Sequence, residues 1–175
     1  MSGAVFSQSP APVPDPGPAL THVDASGAAR MVDVSGKQPT TRTALATGVL
    51  RTTAEVVRLL QQGHLPKGDA LATARIAGIM AAKRTPDLVP LCHPLSLSAV
   101  SVDLEVREAE VLISATVRTT DRTGVEMEAL TAVAVAGLTL HDMIKAVDPA
   151  AVLDAVRVER KDGGKTGTWT RPVDR

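Results

Sequence analysis

Val100, Val102, Leu104 and Val106 alternate with Ser101, Asp103, Glu105 and Arg107, the period of two by which a strand buries one face and wets the other. Residues 111–118 repeat the alternation after a short charged turn, so the two segments predict an antiparallel hairpin. Elsewhere the period is helical. Over residues 53–62, Val56, Val57, Leu59 and Leu60 share one helix face until Gly63 and Pro66 stop the pattern. A second helix is predicted over 69–84, with Asp69 as N-cap, small residues along ATARIAGIMAA for close packing, and a stop before Pro86. The segment 123–147 is rich in Ala, Val and Leu around most of a helix circumference, which predicts a helix buried on more than one side. Residues 152–159 return to strand, and the loop KDGGKTG leads into a short extended piece at 168–170. Upstream, 31–35 and 41–50 read as extended segments separated by a turn at Pro39. From residue 41 onward, with the short helix set aside, the order is strand, helix, strand, strand, helix, strand. That is the split βαβ, ferredoxin-like α+β arrangement: one antiparallel sheet with helices packed on one face. The Glu, Asp and Arg at alternate strand positions predict that the other face is wet or covered by a partner.

Composition narrows the functional classes. The 175 residues suffice for one domain with a sizeable core, and 44% hydrophobic content is ordinary for a globular chain. Residues 1–19, rich in Pro, Ser and Gly, read as a disordered tail, 20–170 as a single domain, and 171–175 as a C-terminal tail. Lys+Arg and Asp+Glu number 19 each, so no chain-wide field draws nucleic acid or an anionic membrane, and any anion site must be local. With no Tyr, one Phe and one Trp, the chain lacks the aromatic platforms of single-strand binders. The single cysteine can build neither an internal disulfide nor a multi-cysteine zinc site, which fits a reducing cytoplasm. No metal site is expected. The first nineteen residues do not read as a signal peptide, and the apolar stretch at 129–140 is too short to span a bilayer.

Reactive residue types concentrate at three places. In DLVPLCHPLS, Cys92 and His93 lie between Pro90 and Pro94, whose rings restrict the backbone and keep it out of regular helix. His93 is the stronger candidate of the two, since imidazole is the side chain that ordinarily titrates near cellular pH; Cys92 reads more readily as a small buried hydrophobe than as a nucleophile. Lys67 precedes the second helix, where the positive end of the helix dipole disfavours a cation unless an anion stands nearby. Two anions are on offer: a bound phosphate, or Asp69. Asp142 and Lys145 are three apart and so neighbours on one helix face, either a surface ion pair or a desolvated, coupled acid and base in apolar surroundings. Glu128 points to nearly the same side as Asp142 but stands roughly 21 Å away along the axis. One compact pocket cannot hold both, so either the ligand is long or two subunits share the site. The Gly-Lys-Thr of 164–166 is not a phosphate-binding P-loop, because Glu159 stands where that motif needs its first glycine and a strand follows.

Four blocks, THVDASGAARMVDVSGK, KGDALATARIAGIMAAKRTPDLVPLCHPL, TGVEMEALTAVAVAGLTLHDMIKAVD and the basic GGK loop, agree in order and spacing and together resemble the cyclic pyranopterin monophosphate synthase (MoaC) family of molybdenum cofactor biosynthesis. The resemblance covers about residues 20–168. It implies a ferredoxin-like fold, a homohexamer built as a trimer of dimers with interface active sites, and a cytoplasmic location. It also implies a lyase that converts 3′,8-cyclo-7,8-dihydro-GTP to cyclic pyranopterin monophosphate and pyrophosphate. By resemblance Asp142, Lys145 and Lys67 are catalytic. Leu91, Cys92, His93, Met127 and Glu128 contact substrate, and Lys37, Arg42, Lys161 and Lys165 receive the triphosphate. No resident cofactor is implied, and whether Mg²⁺ accompanies the triphosphate stays open. The competing reading is a noncatalytic nucleotide-sensing module on the same fold, which would bind without turnover.

Overall fold

The computed structural model describes residues 28–63, 65, 67–165 and 167–173. The chain divides into two units, Met1–Val32 and Asp33–Arg175. Of the first, only residues 28–32 are described, and they form no helix and no extended ladder. The expected tail at 1–19 lies outside the described residues, as does Pro66.

The second unit carries a five-stranded antiparallel sheet. Its elements in chain order are β1 (Thr40–Arg51), α1 (Ala54–Gln62), α2 (Ala70–Ala82), α3 (Thr85–Leu88), β2 (Leu97–Val106), β3 (Glu110–Asp121), α4 (Glu126–Ile144), β4 (Val152–Asp162) and β5 (Trp169–Thr170). The strand order is β2-β3-β1-β4-β5. Leaving out the two-residue β5, this is the order of a ferredoxin-like sheet, with β1 central between β3 and β4. Alternation decides which face is dry. Ala44, Ala46 and Leu50 of β1, with Val111, Ile113, Ala115 and Val117 of β3, are buried on the face that α4 covers, while α2 lies against α4 and over β2. Leu45, Thr47 and Val49 of β1 and Leu112, Ser114 and Thr116 of β3 are only half-buried on the opposite face. Each large core side chain taken out of water there contributes about 1.5–3 kcal/mol before entropy is counted.

Local chemistry sets the helix ends. Thr53 caps α1 by accepting from Val56 N at 3.3 Å, and Gly63 ends it in the left-handed conformation at φ 66°. Asp69 caps α2, accepting from Ala72 N at 2.9 Å. Small residues then let α2 and α4 approach: a Cβ on Gly78 would sit 2.8 Å from the Ala132 carbonyl oxygen and 3.3 Å from the Ala136 methyl. Ten of the nineteen residues of α4 are buried. That helix is long and apolar enough to cross a membrane, but here it is the core helix of the domain.

Three expectations change. Residues 31–35 hold no strand, because Asp33 accepts from Ser35 N at 2.8 Å and Lys37 N donates to Val34 O at 3.0 Å, closing a turn where a ladder would start. Pro86 does more than stop α2. It opens the short helix α3, where its missing N–H costs nothing. Finally, α4 begins at Glu126 and not at residue 123, and it leaves Lys145 at its C-cap.

Candidate active site

The candidate side chains gather at the two ends of α4. At the C-terminal end Asp142 stands in the last turn, where its carboxylate takes Lys67 Nζ on Oδ2 at 2.7 Å and Lys145 Nζ on Oδ1 at 2.7 Å. Lys67 also donates to the backbone oxygen of Asp142 at 2.8 Å, so both ammonium groups lie at the negative end of the helix dipole, where cations are favoured. The anion facing Lys67 is therefore neither Asp69, which is occupied as the α2 cap, nor of necessity a phosphate. It is a carboxylate 75 residues away.

The three side chains are 45–55% exposed, so of the two readings the exposed ion pair holds and the desolvated acid–base pair does not. Hydrogen bonds from Lys145 and Lys67, with the charges behind them, hold the Asp142 carboxyl down at about 2. At neutral pH it is a fixed anion. It can orient two lysines, each with donors to spare, toward a ligand, but it cannot supply a proton.

The N-terminal end of α4 differs in every respect. Glu128 is 4% exposed, and burial, reinforced by the nearby Glu126 charge, raises its pKa although a hydrogen bond from its own backbone opposes the shift. Cys92 stands close enough to feel that charge, and its thiol is raised first by burial and then by Glu128. A raised thiol is a poor nucleophile, so Cys92 acts here as a small, half-buried group. Leu91 and His93 flank it, also half-buried, in a turn closed by Cys92 N to Val89 O at 3.0 Å. His93 lies near Asp33, whose pKa is lowered chiefly by Ser35 and slightly by this imidazole. Met127 is 39% exposed beside Glu128.

Adjoining this end is a cavity of about 210 Å³ lined by Lys37, Arg42, Arg122, Glu126 and Lys161, together with the backbone around Gly124 and Gly163. Three of the four basic positions expected to receive phosphates thus converge. The fourth, Lys165, is exposed and does not line the cavity. Arg42 reaches the Arg122 carbonyl oxygen with Nη2 at 3.4 Å, while its buried Nε has no partner among the described residues. A guanidinium that lines an open cavity, with its Nη atoms toward solvent, is a ready site for a phosphate oxygen. The glycine pair explains how the loop closes over it. At φ 95° and 75°, a Cβ on Gly163 would overlap the Thr41 carbonyl and one on Gly164 the Arg42 guanidinium. Lys161 Nζ is held by Glu126 at 2.9 Å.

Arg122 and Glu126 escaped sequence reasoning. The only signal was charge just before and at the first turn of a predicted helix, which is common on any solvated helix start. Among the described residues, no three His, Cys, Asp or Glu side chains cluster as a metal site.

A ferredoxin-like α+β protein with an anion-receptive basic cavity and a separate lysine–aspartate–lysine cluster is the class that these features define. Comparison supplies the family: the MoaC family model matches residues 31–164, and the chain belongs to that family. It is 68% identical over 157 residues to the cyclic pyranopterin monophosphate synthase of Streptomyces coelicolor, covering 90% of this chain and 92% of the relative. It is 66% identical over 152 residues to cyclic pyranopterin monophosphate synthase 2 of Mycobacterium tuberculosis, covering 87% and 91%. A third relative of that name, from a Nocardioides species, is 67% identical over 156 residues, covering 87% and 96%.

Proposed function

We propose that this chain is a cyclic pyranopterin monophosphate synthase, a lyase of molybdenum cofactor biosynthesis that converts 3′,8-cyclo-7,8-dihydro-GTP to cyclic pyranopterin monophosphate with release of pyrophosphate. The observation that carries this reading is the Lys67–Asp142–Lys145 cluster, two lysines on one ionised carboxylate, in a chain of the MoaC family. Opening the purine imidazole ring, rebuilding it as a pterin and closing a cyclic phosphate call for repeated proton transfers near a polyanion. Asp142 orients the two ammonium groups, and Lys67 and Lys145 deliver and recover protons at the ring and phosphate oxygens. Glu128, held toward its neutral form, is a second proton-carrying group at the ring. Leu91, Cys92, His93 and Met127 complete that wall. Lys37, Arg42, Arg122 and Lys161 take the triphosphate, with Lys165 approaching from the loop. The reaction needs no resident cofactor, and any Mg²⁺ would arrive with the triphosphate.

The two clusters stand at opposite ends of α4, and one substrate cannot reach both within a protomer. Sites shared between subunits of a homohexamer, arranged as a trimer of dimers, resolve this. Ile76 and Met80 of α2 and Leu138 of α4, each more than half exposed, supply apolar surface for such an assembly. The location in this reading is cytoplasmic. The test is incubation of the purified chain with the cyclised GTP precursor, following cyclic pyranopterin monophosphate by mass spectrometry and pyrophosphate by a coupled assay. Stoichiometric formation of both is expected. Tight nucleotide binding without turnover would instead establish the sensing module.

A further inference from the structure

Lys161 stands between two cavities. One is the basic cavity described above. The other, of about 440 Å³, is lined by Glu126, Val158, Lys161, Thr168 and Trp169, so Lys161 and Glu126 form the wall that the two share. Trp169 is the only tryptophan of the chain, and nothing in the proposed reaction uses it.

Its placement follows from register. In the β4·β5 ladder Lys161 pairs with Trp169, so the two side chains leave the sheet on the same face. On its other side Lys161 pairs with Ala44, which is buried; that face is therefore the one toward α4, where Glu126 holds the ammonium. The indole is itself held. The Arg171 guanidinium lies 5.8 Å from the ring centroid, and Arg171 is fixed by Nε to the Val158 carbonyl oxygen at 2.8 Å and by Glu159 at 3.7 Å. A ring 38% exposed is too open to be a core residue, yet it is anchored beside a lysine that faces the phosphate cavity.

We propose that Trp169 is a positioning residue for the phosphate site: its indole walls in the aliphatic stem of Lys161, so that the ammonium transfers from Glu126 to an incoming phosphate oxygen. A lysine stem has many rotamers to lose on binding, and a rigid aromatic wall removes part of that loss in advance. This inference rests on reading the basic cavity as the triphosphate site. The step breaks the Lys161–Glu126 ion pair and forms a Lys161–phosphate pair, with no covalent change. Glu126 then faces water in the second cavity.

Inorganic tripolyphosphate, added to the full chain while tryptophan emission is recorded, tests the idea independently of turnover. A saturable change in emission is expected, matching the affinity measured by calorimetry and lost in Lys161→Ala. Tripolyphosphate that binds without altering emission, or alters it equally in Lys161→Ala, overturns the proposal. In turnover assays Trp169→Leu is expected to raise KM for the triphosphate substrate about fivefold with kcat within about twofold, and Trp169→Phe to restore most of it. An unchanged KM in Trp169→Leu, or a loss confined to kcat, also overturns it. If the leucine variant does not fold, the wild-type emission titration and the phenylalanine variant still decide. An emission response without conversion of the cyclised precursor would sink the proposed reaction and leave the role of Trp169 standing. No calorimetric binding of tripolyphosphate would overturn the reading of the basic cavity as the phosphate site and the role of Trp169 with it, while the reaction itself stands or falls on turnover of the cyclised precursor.

Discussion

The two ends of α4 treat a carboxylate in opposite ways. Glu128, in the first turn, is sealed from water and pushed toward protonation by burial. Asp142, fourteen residues later in the last turn, is open to solvent and clamped as an anion by two lysines. The same functional group thus becomes a candidate proton carrier at one end and a permanent charge at the other, and environment alone makes the difference. The positive end of the helix dipole faces the basic cavity and the negative end faces the lysines, so each end attracts the charge it is built to hold.

The largest expected effect tests the C-terminal end. Lys67→Ala and Lys145→Ala should each lower kcat for the cyclised GTP precursor by ~10²–10⁴-fold, with circular dichroism and melting temperature close to wild type, because both side chains are exposed. Near-normal turnover in either variant would take that lysine out of the reaction.

A second experiment asks whether the ends work together across subunits. Glu128→Gln and Asp142→Asn should each be nearly inactive alone, and mixed oligomers of the two should regain activity, since some interfaces would pair an intact N-terminal end with an intact C-terminal end. Verified mixed oligomers that stay inactive would place both clusters in separate roles within one protomer.

Within the N-terminal end the basic residues should be unequal. Arg42→Ala, which removes a guanidinium lining the cavity, should raise KM about tenfold or more, whereas Lys165→Ala, at an exposed position outside it, should raise it about twofold. Raising salt should weaken substrate binding in the wild type and less so in Arg42→Ala. Equal KM effects for the two variants would show that the loop lysine, despite its exposure, closes over the phosphates.

The smallest effect is on stability. Well below pH 4.5 the Glu128 carboxyl is neutral in folded and unfolded chains alike, so its burial carries no charge penalty. Above it the unfolded chain ionises freely while the folded carboxyl resists, and stability falls as pH rises toward the elevated folded value. Glu128→Gln should therefore stabilise the protein near pH 8 and have little effect at pH 3. Asp142→Asn should show the reverse dependence, with any loss fully present above pH 3.8 and vanishing as pH falls through about 2. Thermal melts across this range check both signs.

Much of this architecture was legible along the chain because its causes are local. A period of two set β2 and β3, Asp69 stood where an N-cap belongs, and Gly63 needed no partner to end α1, although the cap that Thr53 supplies to α1 emerged only in the fold. The order of elements then left the ferredoxin-like sheet as the economical arrangement, and the four blocks pointed to the family. Side-chain environment is a property of packing, and there the sequence was silent or misleading. Asp142 looked desolvated because its helix is apolar, yet it occupies the last turn, where the core ends. Lys67 found its anion 75 residues away, a contact that only the docking of α2 against α4 creates. Arg122, Glu126 and the buried Nε of Arg42 became a cavity only when β1, β4 and the start of α4 met, and Lys165, a neighbour in sequence, was left outside. Local periodicity and turn chemistry act over a few residues and survive in the bare sequence. Burial, convergence of charge and the fate of each carboxyl depend on long-range contacts, so they exist only once the chain has folded.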